Sequence, residues 1–188
     1  MLRKKSGEAG FTLLEVLTAI AIVGILSAIA LPSFIGFIRL QQLNQSREQI
    51  YLALQEVKRN AKRDKLTWQA SFRNAPHGQF AIHRVSENAD LTKFNWQDLN
   101  RNVVIIDGQT QNETTFYQYT KGVNQGIWRV QFNAYGNTHG RLGRITVGFK
   151  DSTPGKDRPL RCVFVSTLIG TMRTSENQPK PHDKRYCY

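Results

Sequence analysis

The chain has 188 residues, with 26 Lys and Arg against 14 Asp and Glu for a formal charge of +12, and 40% of its residues are hydrophobic. Once a long apolar run near the N-terminus and the helical pattern behind it are set aside, roughly 120 residues remain, enough for one domain with a real core and too few for two. The inventory weighs against catalysis: His77, His83, His139 and His182 lack the paired or i, i+4 spacing of a zinc site, and there is neither a Gly-rich phosphate loop nor a Gly-x-Ser-x-Gly elbow. No enzymatic role, metal or cofactor is expected.

Arg3, Lys4 and Lys5 precede "EAGFTLLEVLTAIAIVGILSAIALPSF", residues 8–34. Phe11 to Leu31 is 21 residues with one ionisable group, Glu15. As a helix this run covers roughly 30 Å, one bilayer core, and the positive flank would hold the N-terminus in the cytoplasm with the large C-terminal part outside. A carboxylate there raises the insertion cost by about 2.5 to 3.5 kcal/mol, so Glu15 needs a partner, and no cation lies within the span. A secretory signal peptide is the plain alternative. It would have an apolar core of about 7 to 15 residues followed by an A-x-A-like site, whereas this run is longer and ends in Pro32, Ser33 and Phe34. The junction of small and bulky residues lies ahead of the run, at Ala9, Gly10 and Phe11.

A short basic leader followed by Gly10-Phe11-Thr12-Leu13-Leu14-Glu15 resembles the class III signal of type IV pilins and type II secretion pseudopilins, and Pro32 matches the same pattern. The resemblance implies cutting by a prepilin peptidase between Gly10 and Phe11, N-methylation of Phe11, and pairing of Glu15 with the N-terminal amine of a neighbouring subunit. Attraction between those charges is stronger in an apolar helix bundle than in water. The implied partners are other pilin subunits through the N-terminal helix, the prepilin peptidase, and inner-membrane lipid before assembly. The implied location is a single pass of the bacterial inner membrane with the head in the periplasm, then a pilus or pseudopilus. Loss of residues 1–10 removes Arg3, Lys4, Lys5 and Glu8 and lowers the charge from +12 to +10.

Beyond Pro32, Leu43, Ile50, Leu54, Val57 and Ala61 form one stripe at about 100° per residue, with Lys58, Arg59, Lys62 and Arg63 largely off it. Residues 11 to about 63 read as one helix kinked near Pro32: a transmembrane and assembly half over 11–38 and an amphipathic half over 39–65. From Thr67 the period changes to two. Strands are expected over 67–73, 79–85, 102–107, 114–120, 127–133, 144–150, 161–166 and 168–174, separated by turn chemistry such as "APHG" and "YGNTHGRLG". The fold class is α+β, a long helix packed on a β-rich head of two antiparallel sheets over 66–174, with a basic C-terminal tail over 175–188.

This order is similar to GspH/FimT-type minor subunits, in "VQFNAYGNTHGRLGRITVGF" and in "VSTLIGTMRT" with its late glycine. Cys162 and Cys187 both fall in the part that would be exported, where an oxidising compartment permits a disulfide. Such a bridge would tie down the polar tail, and it resembles the C-terminal loop of major pilins; two unbonded thiols are the alternative.

Residues 141–188 hold ten Lys or Arg against four acids, and residues 66–140 hold six against five. A basic surface of this kind suits the phosphates of nucleic acid, and equally an acidic neighbouring subunit or solvent. Some FimT-type pilins bind DNA through a Gly-Arg-x-Arg motif, and the matching place here reads Gly170-Thr171-Met172-Arg173, with the second arginine alone. Arg173, Lys180, Lys184 and Arg185 are the DNA-binding candidates. The expected function is a minor type IV pilin, with a type II secretion pseudopilin and a DNA-binding receptor pilin of natural transformation as alternatives.

Overall fold

The computed structural model describes residues 10–86, 89–107, 113–151, 158–182 and 185–188, with the backbone alone for Ala30, Pro32 and Ser33. The chain divides into two compact units after Arg39. One helix, α1 (Leu13–Asp64), contributes to both.

In the first unit, Thr12 caps α1 by accepting the Glu15 backbone N–H on its hydroxyl at 3.2 Å, and the Thr18 hydroxyl donates back to the Glu15 carbonyl at 2.9 Å. The large apolar side chains from Phe11 to Ile38 remain 40 to 80% exposed. Among the described residues no single helix is long and apolar enough to cross a membrane. Leu13–Ile29 and Phe34–Asp64, a bent pair, pass together by length and composition.

In the second unit, the apolar stripe of α1 is buried as its spacing requires: Leu43, Ile50, Leu54, Val57 and Ala61 are each 0% exposed. Two antiparallel sheets cover it. The first holds β1 (Trp68–Asn74), β2 (Gly78–Arg84), β3 (Gln97–Asp98), β5 (Tyr117–Gln118) and β6 (Trp128–Phe132) in the order β3-β2-β1-β6-β5. The second holds β4 (Val103–Ile105), β7 (Gly143–Phe149), β8 (Arg161–Val165), β9 (Met172–His182) and β10 (Arg185–Cys187) in the order β10-β9-β8-β7-β4.

Alternation assigns the faces. Ala70, Phe72, Val130 and Phe132 from sheet one join Ile145, Val147, Val163 and Val165 from sheet two in one core with the helix stripe. Asn74 fastens the sheets to each other, its amide donating to the Ile105 carbonyl at 2.8 Å and accepting the Ile105 N–H at 2.9 Å.

The expected strands differ from the observed ones in three places. The segment 114–120 pairs only at Tyr117–Gln118, because Thr114 and Thr115 spend their hydroxyls on the backbone of β7 instead. The segment 102–107 narrows to Val103–Ile105. In 168–174 the first half is a turn: Gly170 has φ +72° and donates to the Thr167 carbonyl at 2.9 Å, so the strand starts only at Met172. It then runs on to His182, through the boundary drawn at residue 174. Pro179 and Pro181 lie beyond the last pairing with β8, at Glu176, where a missing N–H breaks no bond to that strand. The short strand β3 and a single 3-10 turn, Leu91–Lys93, carry no alternation in the sequence and went unexpected.

Candidate functional site

Three regions bring together residues able to hold a partner. The first is the N-terminal segment, where Phe11 is 80% exposed and Glu15 occupies the first turn of α1. A carboxylate there faces the positive end of the helix dipole, and the Thr12-x-x-Glu15 spacing is that of a capping box, a local role the charge argument alone overlooked. Pro32 lies within α1, and residues 1–9 of the expected leader lie outside the described residues. Apolar exposure on this scale exceeds what a soluble surface leaves uncovered and calls for lipid or other helices.

The second region is the outer face of sheet two. Arg144 on β7, Phe164 on β8 and Arg173 on β9 lie in register. The Arg173 guanidinium sits 4.1 Å from the centre of the Phe164 ring, with that of Arg144 at 5.8 Å. Arg144 is buried and feels the charges of both Arg173 and Arg185, although desolvation is the larger influence on it. Glu113 offsets this, its carboxylate 3.7 Å from Arg144 Nη2. The other Glu113 oxygen accepts the Tyr186 N–H at 2.7 Å, and its carbonyl accepts the Thr146 hydroxyl. Glu113 thus holds β10 onto the sheet.

A disulfide joins Cys162 to Cys187 beside it, within a small apolar cluster with Ile106 and Leu160. Of the four DNA-binding candidates, Arg173 and Arg185 converge on Arg144. Lys180 does not: it is exposed seven residues farther along β9, roughly 23 Å away in an extended strand. Lys184 lies outside the described residues.

The third region is an open groove of about 540 Å³ between α1 and the β8–β9 turn, walled by Tyr51, Lys58, Arg59, Lys62, Thr171 and Met172. Lys58 Nζ donates to the carbonyls of Ile169 and Gly170 at 2.9 and 2.8 Å. Burial and the neighbouring Lys62 both push its pKa below the ordinary lysine value. Among the described residues no three His, Cys, Asp or Glu side chains cluster as a metal site would require.

Residues 5–31 match the prokaryotic N-terminal methylation motif. The match covers the N-terminal segment alone and supports a type IV pilin-like protein, with no subtype attached. No curated protein and no solved structure matches the chain.

With the pilin-type signal in place, the residues that sequence reasoning missed are all in the head. The basic side chains of α1 were visible as an off-stripe set, and the four-residue spacing of Lys58 and Lys62, which makes them neighbours on one helix face, was the signal that could have marked a charged groove. Glu113 carried no such signal. Its partners Arg144 and Tyr186 are 31 and 73 residues away, and only the strand order brings them within reach.

Proposed function

We propose that this chain is a minor type IV pilin of GspH/FimT type, processed by a prepilin peptidase between Gly10 and Phe11 and incorporated into the pilus through its N-terminal helix. The observation that carries this is the methylation motif at residues 5–31 leading into an apolar helix whose large apolar side chains, among the described residues, are uncovered between Phe11 and Ile38. In that reading the new Phe11 amine is methylated and pairs with Glu15 of a neighbour. Lipid holds the segment before assembly, and the β-rich head selects neighbours and ligands. The role is structural, with no reaction assigned to the chain.

Co-expression with a prepilin peptidase followed by intact-mass and N-terminal mapping tests it. The expected product lacks residues 1–10 and starts at a methylated Phe11; an unprocessed chain, or one cut beyond Pro32, overturns the reading. Recovery in sheared pili rather than in a type II secretion pseudopilus then decides against the pseudopilin alternative.

A second reading, DNA handling by the head during uptake, is favoured by the Arg144–Phe164–Arg173 row with Arg185 beside it. Arginine on an aromatic face beside further cations is chemistry that suits phosphate and base together. Its test is the salt dependence of duplex DNA binding by the full-length chain in neutral detergent, with Arg173→Gln and Arg185→Gln expected to flatten the slope.

A further inference from the structure

Sheet one turns Phe72, Trp128 and Val130 to the core and leaves a polar outer face. The register places Tyr117, Arg129, Ser71 and Ala81 side by side across it. In the next row, Gln131 Nε2 donates to Gln69 Oε1 at 2.7 Å and Gln69 Nε2 to Ser71 Oγ at 2.7 Å. Ser71 Oγ lies 3.0 Å from His83 Nε2, and His83 Nδ1 lies 2.9 Å from the Arg84 carbonyl. Because a carbonyl can only accept, Nδ1 carries the hydrogen, Nε2 accepts from the serine, and the chain is closed.

Arg129 is different. Its guanidinium lies 4.7 Å from the ring centre of Tyr117 and 4.8 Å from that of Tyr119, the two rings meeting edge to face. It makes no hydrogen bond or ion pair with any described residue. It forms part of the wall of a cavity of about 250 Å³ together with Tyr117, Gln131, His139 and Arg141, and among the described residues no carboxylate contributes to that wall. A second cavity of about 220 Å³, bounded by His83, Tyr119 and Asn124, meets the first at Arg129.

A guanidinium held against aromatic rings rather than by a carboxylate keeps its N–H groups available for the oxygens of an anion. Arg141, exposed, supplies a second cation and His139 a further donor. By volume the cavity admits one phosphate and its sugar. Tyr117 remains 44% exposed at the edge strand of the sheet, which gives a flat surface for a base.

We propose that this cavity binds a nucleotide unit of single-stranded nucleic acid, with the phosphate on Arg129 and Arg141 and the base against Tyr117. The site is separate from the basic face of sheet two and stands whether or not the chain enters a pilus.

The test uses the full-length chain in neutral detergent, fluorescein-labelled decathymidylate as probe, and thymidine 5′-monophosphate, thymidine and inorganic phosphate as competitors. The monophosphate is expected to displace the probe at least tenfold better than inorganic phosphate, with thymidine weaker still. Arg129→Gln is expected to weaken probe binding at least tenfold. Arg141→Gln, at an exposed position where the fold is not at stake, should weaken it three- to tenfold, and Arg101→Gln, exposed in the turn between β3 and β4, should leave it unchanged. Equal binding by wild type and both Arg129→Gln and Arg141→Gln overturns the proposal. So does loss of all binding with Arg101→Gln, or inorganic phosphate competing as well as the nucleotide.

Discussion

At Gly170 the backbone is in the left-handed region, φ +72°, and a Cβ there would stand 2.8 Å from the Gly136 carbonyl and 2.9 Å from Phe132 Cε1. Strain and collision add, so Gly170→Ala is expected to destabilise the head by about 2 to 4 kcal/mol in chemical denaturation, where an exposed surface glycine would change little. His83 offers a second test. Burial holds its pKa below the ordinary histidine value, with the hydrogen bond to the Arg84 carbonyl acting the other way. The unfolded chain therefore takes up a proton near pH 6.5 that the folded chain resists, and the stability His83 contributes is intact above that pH and falls as pH drops below it. Protonation would also turn Nε2 into a donor facing the Gln69 amide 3.4 Å away. The melting temperature is expected to fall between pH 7 and pH 5 by more in the wild type than in His83→Gln; equal losses would remove His83 as the cause.

For the elements, legibility followed the range of the interactions that define them. The α1 stripe could be read because its five residues answer to one period, and all five are fully buried. Single strands could be read for the same reason where alternation was strong, as in β1, β7 and β8. The end of the chain was harder. Its composition, with two prolines and many polar groups, reads as a loose tail, yet the segment forms most of β9 and all of β10. Non-local anchors hold it there: Asn177 opposite Cys187 in the pairing, the Glu113 bond to Tyr186, and the disulfide. With the two cysteines 25 positions apart, the chain-entropy account gives the bridge about 3 kcal/mol. The paired substitution of Cys162→Ser and Cys187→Ser is expected to cost that much, and to quicken amide exchange in β10 before β7. Unchanged exchange in β10 would mean that Glu113 and the strand pairing hold the tail without the bridge.

For the whole molecule, the opposed demands of the two units define the protein: one leaves its apolar residues uncovered, the other encloses a core. Glu15→Val removes the ionisable group from the apolar span, so membrane insertion is expected to be at least as efficient as in the wild type. Incorporation into pili beside wild-type subunits should drop by roughly tenfold, the loss of a pair whose attraction the apolar bundle strengthens. Normal incorporation, read by quantitative immunoblotting of sheared pili, would sink the charge-pair account.

The sequence by itself determined the signal, the apolar run and the helix stripe, because each depends on residues within a few turns of one another and on spacing that a linear chain displays directly. It also determined the two-sheet class, through the change of period at Thr67. Only the tertiary structure decided which cations meet. Arg173 and Arg185 come together at Arg144, Lys180 stands apart, Glu113 clamps the last strand, and Arg129 settles between two tyrosines. Each of these depends on strand order and register, which join residues far apart in the chain and are set by burial of the shared core rather than by any local pattern.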